Sequence, residues 1–187
     1  MIRWAWSIMT IVPDHPIDDD ELLRLAAAYP ELTFEREPDG SLDVSPPPAF
    51  RNIIRASEAA RQLHAWGGDR GYALGDAAGY KLPDASMRIP DVSWISFERC
   101  EAMTDEQRET IAPFAPEIAI EIVSPSDSFS KQRRKVERYV EQGTQYAVVI
   151  DPRTRRVEEF GAPPSGLRLD FDRIIDAGAP RRRDASD

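Results

Sequence analysis

Inside the apolar run "IAIEIV", Glu121 stands between Ile120 and Ile122 where a buried strand is expected. A carboxylate there loses most of its hydration, so it needs a partner of opposite sign or a wet face. Asp91, in "RIPDVSWIS", opens another apolar strand thirty positions earlier. Two carboxylates delivered by neighbouring strands can share a hard divalent cation, which prefers oxygen ligands and keeps some waters; Mg²⁺ is the usual choice and Mn²⁺ an alternative. Side chains alternate along a strand, so Ala119, Glu121 and Val123 share one face, while Ile118, Ile120 and Ile122 share the other.

A phosphodiester-cleaving site also needs a positive group close to the metal. Val123 holds the position on the Glu121 face where a lysine would be convenient. The next helix offers a substitute. At about 100° per residue, Val136, Tyr139 and Val140 form its buried stripe, and Lys135 falls beside Tyr139 on the flank. Lys131 points further away, so Lys135 is the candidate to reach inward. Lys131, Arg134 and Arg138 could track a phosphate backbone beside the metal. The same run also reads as a solvated face, with Glu137 and Glu141 as partners one turn away. A plainer reading pairs Glu121 with Arg88, and Ser124, Ser126 and Ser128 are adequately explained as turn and cap chemistry.

The elements that must position these groups are legible. "PIDDDELLRLAAAYP" is a short amphipathic helix with acids in its first turn. "LTFEREPDGSLDVSPPP" is a hairpin turning at Asp39-Gly40. A core helix follows, with Ile53, Ile54, Ser57, Ala60, Leu63 and His64 at helical spacing and Gly67-Gly68 as its stop. Residues 71–96 suggest two or three short strands, and Thr104 to Gln107 a capping box for a helix reaching Pro113. After the Glu121 strand come a helix to Gly143, a strand "QYAVVI", a turn at Asp151-Pro152 and a strand "RRVEEF". The order predicts an α/β domain with a mixed, strongly bent sheet and helices on its faces.

At 187 residues the chain is long enough for one domain with extensions: residues 1–15 as an N-terminal extension or packing strand, 16–175 as the domain, and 176–187 as a disordered tail. Met9 could be the true start, and the apolar N-terminus is too short to span a bilayer, so no membrane partner is expected. Thirty-three acidic against 24 basic residues give a net charge of -9, which argues against a general nucleic-acid coat without excluding a local basic site. A single cysteine, Cys100, and two histidines make neither a disulfide nor a zinc spacing and suit a reducing cytoplasm.

Taken in order, "FEREPDGSLDVSPPP", "RIPDVSWIS", "PEIAIEIVSPSDS", "KQRRKVERYVEQG" and "YAVVIDPRTRRVEEF" resemble the Uma-two family of restriction-endonuclease-like proteins, a branch of the PD-(D/E)XK nuclease superfamily. The resemblance spans roughly residues 20 to 175. It implies a restriction-endonuclease-like core and metal-dependent hydrolysis of a nucleic-acid phosphodiester, with DNA the expected substrate. It further implies Asp91 and Glu121 as metal ligands joined by the Ile122 main-chain carbonyl. Glu35 in the hairpin would ligate or orient a second metal, and Lys135 would replace the motif lysine that Val123 displaces. A homodimer follows by analogy, since duplex cleavage needs two symmetry-related cuts. The rival expectation is a nuclease fold without catalysis that serves as a binding or assembly module.

Overall fold

The computed structural model describes residues 8–75, 78–125 and 127–179. Its first unit is an antiparallel sheet. β1 (Met9–Ile11) pairs with β3 (Leu42–Ser45), which pairs with β2 (Thr33–Arg36); β2 continues through β6 (Met87–Arg88) to β5 (Tyr80–Lys81). The hairpin turn forms because Gly40 takes φ +86°, and because the Asp39 carboxylate accepts from the Ser41 amide and hydroxyl. Helix α1 (Asp19–Ala28) is capped by the Asp18 side chain and buries Leu22 against Phe34, Leu42, Val44 and Met87. Arg36, almost fully buried, ties α1 to this sheet through the Ile17 carbonyl and Asp19.

The expected mixed sheet is the second one: β4 (Gly71–Gly75), β7 (Val92–Ser96), β8 (Ile118–Ile122), β9 (Tyr146–Asp151) and β10 (Arg156–Gly161) in the order β10-β9-β8-β7-β4, with only β8 and β9 parallel. Parallel neighbours need a crossover, and α5 (Phe129–Glu141), capped by Ser128, supplies it. The alternation read along β8 holds. Ile118, Ile120 and Ile122 pack with α2 (Phe50–Gly67), whereas Ala119 and Val123 pack with Val136 and Tyr139 of α5.

Four details differ from the sequence reading. The buried stripe of α2 is Asn52, Ala56, Ala59 and Leu63, with Ile53 and His64 exposed, because small residues let the helix approach the sheet closely. Among the described residues of 71–96 there are four strands. A short helix α3 (Phe97–Glu101) precedes α4 (Asp105–Arg108); the Thr104 capping box forms, but α4 stops five residues before Pro113. Ala112 is drawn into hydrogen bonds with Gly79 and Lys81, and this pairing outcompetes another helical turn. Finally, α6 (Phe171–Asp176) forms where no helix was read, since Ile174 and Ile175 are buried against the α2 side of the core. Asp176, the expected start of the tail, thus closes a helix and pairs with Arg155 at 2.7 Å. Residues 1–7 and 180–187, and Ser126 among the three serines, lie outside the described residues.

Candidate active site

Between the two sheets and α5 lies a cleft of about 1210 Å³ lined by Glu35, Asp91, Glu121, Ile122, Lys131, Arg134, Lys135 and Arg138, among others. Backbone register explains the meeting of the first carboxylates. β7 and β8 run antiparallel with Val92 opposite Ile120, so one further step brings Asp91 level with Glu121. The Asp91 carboxylate accepts the Ile122 amide at 2.6 Å and thereby holds the two strand ends together. Glu121 itself is buried, with 3% of its side chain exposed.

Lys135 arrives from α5. Its ammonium lies 2.8 Å from Glu35 Oε1 and 2.9 Å from Glu121 Oε1, and donates to the Ile89 carbonyl at 3.2 Å. The partner that Glu121 requires is therefore Lys135, and Arg88 forks onto Glu37 instead. Glu35, on β2, also accepts the Ile89 amide at 2.6 Å, so it fixes the ammonium to the N-terminal sheet. Val123 is fully packed against the α5 interface, which leaves no room on β8 for the ammonium that α5 supplies.

Two contributors escaped the sequence reading. Tyr139, read as core, is buried, but its hydroxyl donates to Glu121 Oε1 at 3.1 Å. Asn52, whose only signal was a polar residue in register with Ala56 and Ala59, donates its amide to the Ile122 carbonyl at 3.4 Å. The basic run divides. Lys131 pairs with Asp43 at 2.8 Å and Arg138 with Asp84 at 2.6 Å, while Arg134 is exposed and makes no ion pair among the described residues. Arg133 takes the expected helix partner, Glu137, at 2.7 Å.

Charge is unbalanced here. Glu35 and Glu121 share one ammonium, and burial, only partly offset by Lys135, keeps Glu121 above the usual carboxylate range, with Asp91 and Glu35 adding to the rise. Burial alone would lower the Lys135 ammonium, but Glu121 and Glu35 more than offset that and hold it above its ordinary range. A folded Glu121 thus keeps its proton to higher pH than an unfolded one, so the folded state binds more protons as pH climbs past the ordinary value of 4.5. The expected result is that wild-type stability, measured by urea unfolding in divalent-free buffer and referred to Glu121→Gln, falls as pH rises from about 4.5 towards neutrality. A difference that stays flat across this window would contradict the assignment.

Among the described residues no group of three or more His, Cys, Asp and Glu could hold a metal. Asp91, Glu121 and the Ile122 carbonyl would form an all-oxygen set, which suits an ion retaining several waters, as Mg²⁺ does, and does not suit zinc.

Comparison with solved structures finds a chain described as a "putative nuclease belonging to DUF820" from Anabaena variabilis ATCC 29413, with 21% identity, a TM-score of 0.62, and coverage of 86% of this chain and 98% of that one. The likeness shows that the two share a fold. Comparison with curated proteins gives no match. No helix of the described residues is long and apolar enough to cross a membrane. The model of the Uma2 family, described as "Putative restriction endonuclease", matches residues 19–171, and with most of the chain inside that match the protein belongs to the Uma2 family.

Proposed function

We propose that this protein is a metal-dependent endonuclease that hydrolyses phosphodiester bonds of nucleic acid, DNA being the first substrate to test. The observation that carries the reading is the Lys135 ammonium, which enters the cleft from α5 and lies within 3 Å of Glu35 and Glu121 beside Asp91, supplying the positive group that Val123 cannot. Asp91, Glu121 and the Ile122 carbonyl would hold Mg²⁺ or Mn²⁺, with Asn52 orienting that carbonyl. When bound, such a cation supplies charge to the phosphate oxygens and acidifies a water.

The chain's own groups then have distinct tasks. Because its carboxylate neighbours keep Lys135 protonated, it serves as a fixed donor that offsets phosphate charge and orients the attacking water, and it is no general base at neutral pH. Glu35 and the Ile89 carbonyl fix the ammonium. Tyr139 donates to Glu121 and sets the direction of its free lone pairs. Arg134, and with it Lys131 and Arg138, lines the cleft and would meet the phosphate backbone of a bound strand. A homodimer in the cytoplasm would place two such sites for the two strands of a duplex. The non-catalytic module reading would be favoured by a Lys135 turned to solvent, and its side chain is only 14% exposed.

The test is nicking of supercoiled plasmid in Mg²⁺ and in Mn²⁺. Wild type is expected to nick, chelator to stop it, and Glu121→Ala to slow it by at least about 100-fold, the usual scale for losing one preorganised charge contact. Wild-type protein that cuts neither plasmid nor RNA in either metal would sink the enzyme reading and leave the module.

A further inference from the structure

Three cations of α5 each meet a carboxylate from the N-terminal sheet: Lys131 meets Asp43 of β3, Lys135 meets Glu35 of β2, and Arg138 meets Asp84 in the turn between β5 and β6. At about 100° per residue these three and Arg134 fall within an arc of roughly 100° on one helix face. The apolar residues of β2, β3 and β6 form a different cluster from the one that holds α5, which Tyr80 of β5 joins. At Lys131 and Arg138 long charged side chains make the link from α5 to the N-terminal sheet.

The three pairs differ in how readily they can part. Lys135 and Glu35 are 14% and 12% exposed and share Glu121, so that pair is locked. Lys131 and Arg138 keep 35% of their side chains in solvent. Their carboxylates also have partners of their own: Thr10 donates to Asp43 at 2.6 Å, and the Ser86 amide and hydroxyl donate to Asp84 at 3.0 and 2.6 Å. Each acid thus keeps a hydrogen-bonded oxygen after its cation leaves, which lowers the penalty of parting the pair.

A carboxylate and a phosphate offer the same ligand chemistry to lysine and arginine, oxygen acceptors carrying negative charge. We propose that Asp43 and Asp84 are stand-ins for substrate phosphates: they hold Lys131 and Arg138 in place in the free protein, and a nucleic-acid backbone entering the cleft displaces them. This rests on the nucleic-acid reading above and adds a regulatory contact to that site. The exchange swaps an ion pair whose cation keeps 35% of its side chain in solvent for another and gains the counterions released from the polyanion. In a chain with net charge -9, it leaves Arg134 as the one uncommitted cation among the four that line this face. Weak polyanions are turned away, and only a strand long enough to take two cations at once is held.

The experiment is fluorescence anisotropy with a short labelled DNA duplex in chelator, so that binding is read without cleavage. Asp43→Asn and Asp84→Asn are each expected to tighten binding by roughly three- to tenfold at low salt, the value of one partly exposed ion pair written as an affinity ratio. The two gains should multiply in the double variant. Asp105→Asn makes the same charge change at a fully exposed carboxylate outside the cleft and should bind as wild type does. Lys131→Gln and Arg138→Gln, placed in the double amide variant, should each reduce the slope of log affinity against log salt by about 0.9. If the amide variants bind as wild type while the cation variants still lower the slope, displacement is wrong and the nucleic-acid reading stands. If no variant shows salt-dependent binding, both fail. Asp84 sits in a turn and keeps its serine partners as asparagine, so Asp84→Asn carries the test even if Asp43→Asn does not fold.

Discussion

Lys135→Met is expected to cost the metal-free fold about 3–5 kcal/mol, because it removes one partner of a buried pair and leaves Glu121 and Glu35 facing each other without a cation. Urea unfolding on the alkaline side of neutrality, where Glu121 gives up its proton, measures that loss. Methionine fills most of the volume of the lysine stem, so little of the effect is packing, and most of it is charge. The same variant should lose at least about 100-fold in plasmid nicking, since the fixed donor facing the phosphate is gone. Added Mg²⁺ should restore part of the stability, a divalent ion answering the same carboxylates, but none of the activity. A variant as stable as wild type that still nicks within a few-fold of it would show that Lys135 neither balances the site nor acts in it.

Asp91 should separate structure from chemistry. Its carboxylate holds the Ile122 amide at 2.6 Å, and asparagine can keep an oxygen acceptor there while losing the charge. Asp91→Asn is therefore expected to unfold close to wild type yet bind Mn²⁺ more than about 100-fold more weakly, beyond what losing an outer hydrogen-bond partner costs. Asp91→Ala should lose the metal equally and also about 1–3 kcal/mol of stability, the penalty of an unsatisfied buried amide. Calorimetry with Mn²⁺ and urea unfolding read the two effects independently. Equal metal affinity in wild type and Asp91→Asn would remove Asp91 from the ligand set.

How much of this was legible follows from the range of the interactions. Period-two alternation along β8 placed Glu121 on the α5 face, and helical phase placed Lys135 beside Tyr139; both are local rules, and both hold. The Ser128 cap of α5 and the Asp39-Gly40 turn are likewise local. What failed to show was set by distant partners. Arg88 looked available to Glu121 but is claimed by Glu37 across the N-terminal sheet. Lys131 and Arg138 read either as phosphate ligands or as part of a solvated face, and no spacing announces that Asp43 and Asp84 will meet them. The helix expected to reach Pro113 lost to backbone pairing of Ala112 with Gly79 and Lys81, a tertiary contact that a capping box cannot foresee. On α2, large aliphatic residues suggested the buried face, yet close approach to the sheet chose the alanines and carried Asn52 into the site.

The account stands most directly on Glu121 as a carboxylate that answers to a metal. Titration of Mn²⁺ and Mg²⁺ by calorimetry into wild type and Glu121→Ala, at neutral pH with and without a DNA duplex, tests it. The expected result is saturable binding to wild type, lost in Glu121→Ala, with the acid variant unable to nick plasmid in the same buffers. Wild-type protein that binds neither ion even with DNA present would mean that Lys135 is the whole answer to the buried carboxylate, and that the cleft binds without cutting.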